Sequence, residues 1–386
     1  MNGRMCAPLA GVLGFAFAAF GAGCGDDTGG TGGGAAEGGS ISVQISGEEL
    51  ATDGFRFPTG SEVVIVDGWQ IEFDHVLVAL GSVSLGENPD KSPSDQSQTD
   101  AVVARKTGPW IVDLAQEGSV PGAGGEGTAV PLFVFDAKDD GSAFATDQRY
   151  ALSYAFTEAT SSATTVNLDA AGEAALADMI AGGYSFYFVG TASFVGTGCQ
   201  SSDASYDWSA IPTTVPIRLG FKTPVELVNC QNQDNQGEPF PDEEYQRGIA
   251  VKANQTVVAQ LTLHVDHPFY GDVEHEPELF FDQMAAQLVG QPQGSALTMD
   301  LLAGVDPTAF VDGAGASLPW RRCDGAAPAS GQRAFDTGSI GVNPAGDPSS
   351  TFRDYRDYVH YVTSSMGHLN GGEGLCYVKR GYASPQ

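Results

Sequence analysis

The stretch Trp69-Gln-Ile-Glu-Phe-Asp-His-Val-Leu-Val-Ala-Leu-Gly-Ser-Val-Ser-Leu85 decides the fold class of this 386-residue chain. It opens by alternating Trp69, Ile71 and Phe73 with Gln70, Glu72 and Asp74, the two-residue period that sends successive side chains to opposite faces of a pleated strand. Runs of the same kind lie around it at 40–45, 62–66, 101–104 and 110–114, then at 129–135, 150–156, 185–194, 214–221 and 255–265. Gly, Pro and Asp separate them, as strand ends require. So many short, half-buried strands predict a mainly β protein, an antiparallel β-sandwich. Helical patterns are expected at 168–180, 277–288, 298–303 and 349–366. The last carries Phe352, Tyr355, Val359, Val362 and Met366 on one stripe, so several helices gather in the C-terminal third.

The first residues have a different purpose. Arg4, the apolar run 6–20 and the small residues Gly21, Ala22 and Gly23 lead to Cys24, which is the plan of a cleaved export signal. The run is too short to stay in a bilayer as a spanning helix. This segment resembles a bacterial lipobox, with Gly21 where that motif prefers Leu, and the resemblance implies cleavage of 1–23 and lipidation of Cys24. Residues 24–40 are Gly-rich and polar and read as a flexible tether. By the same resemblance, Gly25 after the modified cysteine implies sorting to the outer membrane. The body 41–386 follows, with the Gly-rich break at 118–127 offering a subdivision into 41–117 and 128–386.

Charge narrows the partners. With 18 Lys and Arg against 48 Asp and Glu, the formal net charge is −30, which argues against nucleic acid as a partner. Metal cations are attracted instead. Cys199, Cys230, Cys323 and Cys376 form an even set in an exported chain, which predicts two disulfides. Their sequence proximity favours Cys199 with Cys230 and Cys323 with Cys376. The absence of C-x-x-C spacing argues against a zinc-thiolate site.

Three of the six histidines fall within 264–275, in His264-Val-Asp-His-Pro-Phe-Tyr-Gly-Asp-Val-Glu-His275. The run 261–266 alternates, so His264 and Asp266 are expected to share the face opposite Leu261, Leu263 and Val265, with His267 at the strand end before Pro268. Imidazoles with a neighbouring carboxylate suit zinc or copper, so His264, Asp266 and His267 are the expected ligands, joined by His275 or His368. The plainer reading makes the acids around His275 helix caps and the histidines members of an ion-pair network. His75 is expected to be partly buried, and His360 exposed.

Other patterns carry less. Residues 122–127 match G-x-G-x-x-G but precede a strand, so they read as a loop. Residues 136–141 place Lys138 where a calcium ligand belongs, so a polar turn is expected rather than a calcium site. No hydrolase nucleophile motif is present. The phrases Asp67-Gly-Trp-Gln-Ile-Glu-Phe-Asp, His264-Val-Asp-His-Pro-Phe-Tyr, Leu318-Pro-Trp-Arg-Arg-Cys and Gly367-His-Leu-Asn-Gly-Gly-Glu-Gly-Leu-Cys376 resemble secreted lipoproteins of large-genome bacteria, a resemblance that implies no activity. The leading expectation is a lipid-anchored protein outside the cytoplasm that binds a transition metal. The alternatives are a metal-free surface module recognising a protein or glycan, and a metal-dependent hydrolase.

Overall fold

The long strand read first is continuous. β2 (Trp69–Gly86) pairs with three neighbours along its 18 residues in a computed structural model. The structure describes residues 38–385 apart from 58–62, 125–126, 236, 238, 242 and 274–276. The export signal, Cys24, most of the tether and His275 therefore lie outside the described residues.

β1 (Ser40–Ser46) and α1 (Glu48–Thr52) precede β2, and β3 (Val102–Asp113), β4 (Thr128–Phe135), β5 (Arg149–Phe156), α2 (Glu173–Gly182), β6 (Phe186–Phe194), β7 (Thr214–Phe221) and β8 (Val225–Val228) follow it. The last third holds β9 (Thr256–Leu263), α3 (Asp282–Ala285), α4 (Tyr355–Thr363), β10 (Gly367–Leu369) and β11 (Tyr377–Arg380). One sheet runs β10-β9-β1-β4 and ends on the short strand Val120–Pro121. The other runs β7-β6-β2-β5-β8-β11, with β3 on β2. Most pairings are antiparallel, but β1 lies parallel to β9, and β3 parallel to Thr164–Val166, so the sheets are mixed. Because β1, β4 and β9 share a sheet, the Gly-rich break at 118–127 divides nothing, and 37–386 is one unit.

The two sheets face one core. Ile41, Val43 and Ile45 of β1 and Leu261 and Leu263 of β9 join Val76, Val78 and Leu80 of β2 and Phe156 and Phe188 in one buried cluster. Simple alternation in β2 stops after Asp74, since Leu77 and Ala79 on its other face are covered by Ala175 and Met179 of α2. Of the run at 62–66, the described residues 63–66 contribute two isolated bridges, from Ile65 to Trp69 and to Leu279. α4 occupies nine residues of the expected 349–366. Asp354 caps it by accepting the Asp357 N–H at 3.0 Å, which fixes its start later than the apolar stripe suggests.

The cystines correct the expected pairing. Cys199 bonds Cys323 and Cys230 bonds Cys376, at separations of 124 and 146 residues. Proximity in sequence misleads here because a mixed sandwich brings distant strands together, and the disulfides tie the C-terminal third to the middle of the chain. Two disulfides place the body in an oxidising compartment outside the cytoplasm. No helix among the described residues is long and apolar enough to cross a membrane.

Candidate metal centre

The β10-β9-β1 sheet is apolar on one face and polar on the other, and the polar face is buried. Gln44 and Ser46 of β1, Gln260 and Thr262 of β9 and Asn370 beyond β10 are all nearly inaccessible. They satisfy one another: Gln44 Nε2 donates to Gln260 Oε1 at 2.8 Å, Gln260 Nε2 to Ser46 Oγ at 3.1 Å, and the Gln260 N–H to Asn370 Oδ1 at 2.7 Å. The Gly-rich segment lies over this row, with the Ala123 N–H donating to Gln260 Oε1 at 2.6 Å. Gly124, at φ +66, sits where a side chain would strike the Asn370 carbonyl.

The histidines terminate this row. His264 follows Gln260 and Thr262 at the two-residue spacing, its N–H extending the β9-β10 ladder to the Met366 carbonyl at 2.8 Å. His368 is the register partner of Thr262 across that ladder. His267 begins the single 3-10 turn His267–Phe269, where Pro268 fits because a first-turn N–H needs no partner. α4 packs on that turn, and His267 Nδ1 lies 2.9 Å from the Val362 carbonyl. A carbonyl can only accept, so Nδ1 carries a hydrogen, and Nε2 is the nitrogen that has a lone pair to offer.

The three rings converge. The His264 and His368 rings stack at 4.2 Å, and His267 stands 5.8 Å and 6.0 Å from them. Each offers a nitrogen, and the three nitrogens lie within 4.8 Å of one another. His267 and His368 are 3% and 1% exposed, and His264 is partly open. Glu48 Oε1 comes within 3.0 Å of His264 Nε2, a carboxylate placed to accept from a ring N–H and so orient the imidazole. Glu48 holds that place with φ at +59, the left-handed region where a non-glycine residue is strained. On the other side Gly372 closes against His264, leaving no room for a Cβ, which would stand 2.6 Å from Nε2.

Of the expected ligands, His264, His267 and His368 come together and Asp266 does not join them. The strand ends at Leu263, so parity does not carry from His264 to Asp266, whose backbone is helical at φ −83 and ψ −23. Its Oδ1 is buried without a hydrogen-bond partner among the described residues. Burial pushes the Asp266 carboxyl up to about 6, with His264 opposing the shift and Glu48 adding to it.

The chain matches no family model, no curated protein and no solved structure.

The other histidines serve elsewhere. His75 is 8% exposed, as expected, with Nδ1 2.7 Å from Asp113 Oδ2. His360 corrects its expectation: it lies between Phe221 and Tyr382, and burial lowers it to about 4, first with Arg356 and then against Asp357. It sits off the apolar stripe of α4, yet Phe221 of the sheet and Tyr382 near the C-terminus pack on it and leave it half-buried. Lys138, in the discarded calcium pattern, pairs with Glu87 at 2.8 Å. Glu48 is the neighbour of His264 that the sequence does not single out, and no strand period points to it, since β1 ends at Ser46 and Glu48 opens α1 with φ at +59.

Proposed function

We propose that this protein binds a transition metal, zinc or copper, through His264, His267 and His368, and that it works outside the cytoplasm on a lipid anchor at Cys24. The observation carrying the metal reading is the convergence of three ring nitrogens within 4.8 Å, supplied by segments about a hundred residues apart. The chemistry of the donors supports it further. Neutral imidazole is a preferred ligand for both ions, and the Val362 carbonyl and Glu48 supply the outer hydrogen bonds that orient metal-bound rings. The anchor rests on the lipobox-like run ending at Cys24. The alternative of a metal-free module gains nothing from the surface, where Tyr377 is the only aromatic among the large exposed hydrophobics of the described residues.

Elemental analysis of protein purified without a histidine tag tests the metal reading. The expected result is close to one equivalent of zinc or copper, falling below about a tenth in the His267→Ala, His368→Ala double variant. An equally low content in the unaltered protein after incubation with either ion would end the reading.

A further inference from the structure

A cavity of about 450 Å³ opens beside the histidines, and His264 is part of its lining. Its size is that of a small-molecule site. Leu50, Val64, Val66 and Leu279 form an apolar wall, in which the Val66 N–H donates to the Leu279 carbonyl at 3.0 Å. Besides His264 and Tyr270, the polar part of the lining is three carboxyl groups, those of Glu48, Asp266 and Glu278.

We propose that the ion keeps one coordination position open to this cavity, and that the position takes a small organic molecule with a metal-binding head and an uncharged or cationic apolar tail. This rests on the metal reading above. Three protein nitrogens leave a four-coordinate ion one position short, the arrangement of sites that exchange ligands. The open side is fixed by exposure: His267 and His368 are sealed, whereas His264 retains 17% of its side-chain surface and faces the cavity. A head group reaching the ion from there lays its tail along the Leu50–Leu279 wall. The carboxyl groups of the lining repel an anionic tail and tolerate a neutral or positive one.

Cobalt-loaded mature protein, followed by its visible absorption, tests this with three hydroxamates. Acetohydroxamate supplies a head alone, octanohydroxamate adds an apolar tail, and suberic acid monohydroxamate ends the same length of tail in a carboxylate. The spectrum is expected to change with each, and the octanoyl compound to bind at least about tenfold more tightly than the acetyl one, from the methylenes it buries. The carboxylated tail should lose most of that gain. Leu50→Glu, at a half-buried wall position, should retain cobalt and reduce the octanoyl preference to under about threefold. Bound cobalt with a spectrum indifferent to all three compounds would mean that Glu48 closes the shell, and would overturn the inference while leaving the metal reading intact. Equal affinities for the acetyl and octanoyl compounds would overturn it through the cavity. Failure to bind cobalt at all would remove both.

Discussion

Two buried polar clusters lie in this molecule, and they are built on opposite principles. In one, Arg333 bridges Asp67 at 2.9 Å and Asp282 at 3.2 Å, Arg321 forks onto Asp282, and Trp69 Nε1 donates to Asp282 at 2.8 Å. The Arg321 guanidinium is held between Phe194 and Trp208, 4.0 Å and 4.1 Å from their ring centres. Opposite charges cancel within the cluster, and Asp67, Asp282 and Arg333 are wholly inaccessible. In the other, three groups of the same kind face one another beside a cavity. A closed set of opposite charges fastens segments together, while a set of like donors at an opening could hold a cation. Each cluster has its own cystine: Cys323 Sγ lies 3.2 Å from the Asp67 carbonyl, and Cys376 adjoins Leu375, which bridges to His368.

If the division holds, breaking the ionic cluster costs stability and spares the ligand site. Arg333→Met leaves two buried carboxylates with one cation between them, and should destabilise the fold by about 3–5 kcal/mol in urea denaturation. A loss under 1 kcal/mol, on the order of a surface pair, would show that the network holds nothing together.

The cystines sharpen the same contrast at smaller cost. Replacing Cys199 and Cys323 by Ser should lower stability by about 2–4 kcal/mol and leave metal affinity unchanged. The same replacement at Cys230 and Cys376 should lower stability comparably and also weaken metal binding, because it releases the segment that positions His368. Equal metal affinity in the two double variants, measured by competition with a chelator, would contradict the assignment.

The smallest effect expected is an opposed pH response. Burial, with Asp282 adding and Arg333 opposing, pushes Asp67 up to about 6, the same level as Asp266. Both stand above their unfolded value of 3.8, so their contribution to stability is complete below pH 3.8 and is lost as pH rises through about 6. Metal binding runs the other way, since protons compete for imidazole nitrogens as pH falls. Between pH 7.5 and 5.5 the increment in Tm produced by zinc should shrink, and Asp67→Asn should flatten the pH dependence of the metal-free protein. A zinc increment that grows on acidification would break the comparison.

Both clusters were unequally legible. His264, His267 and His368 could be nominated because histidine is rare in this chain and its chemistry is narrow. Asp67, Asp282, Arg321 and Arg333 gave no signal, since single charges scattered over 266 residues look like surface. Asp266 was misplaced for a local reason, as a two-residue period holds only while the strand lasts.

The sequence by itself determined the β-rich class, the strand faces and the residue types able to hold a cation, because alternation and side-chain chemistry are local properties. Tertiary structure alone decided which cystines form, that Glu48 reaches His264, that His360 is half-buried and that a cavity opens at the histidines. Those outcomes depend on which distant segments the two sheets bring side by side, and strand pairing across a hundred or more residues leaves no periodic trace in the chain.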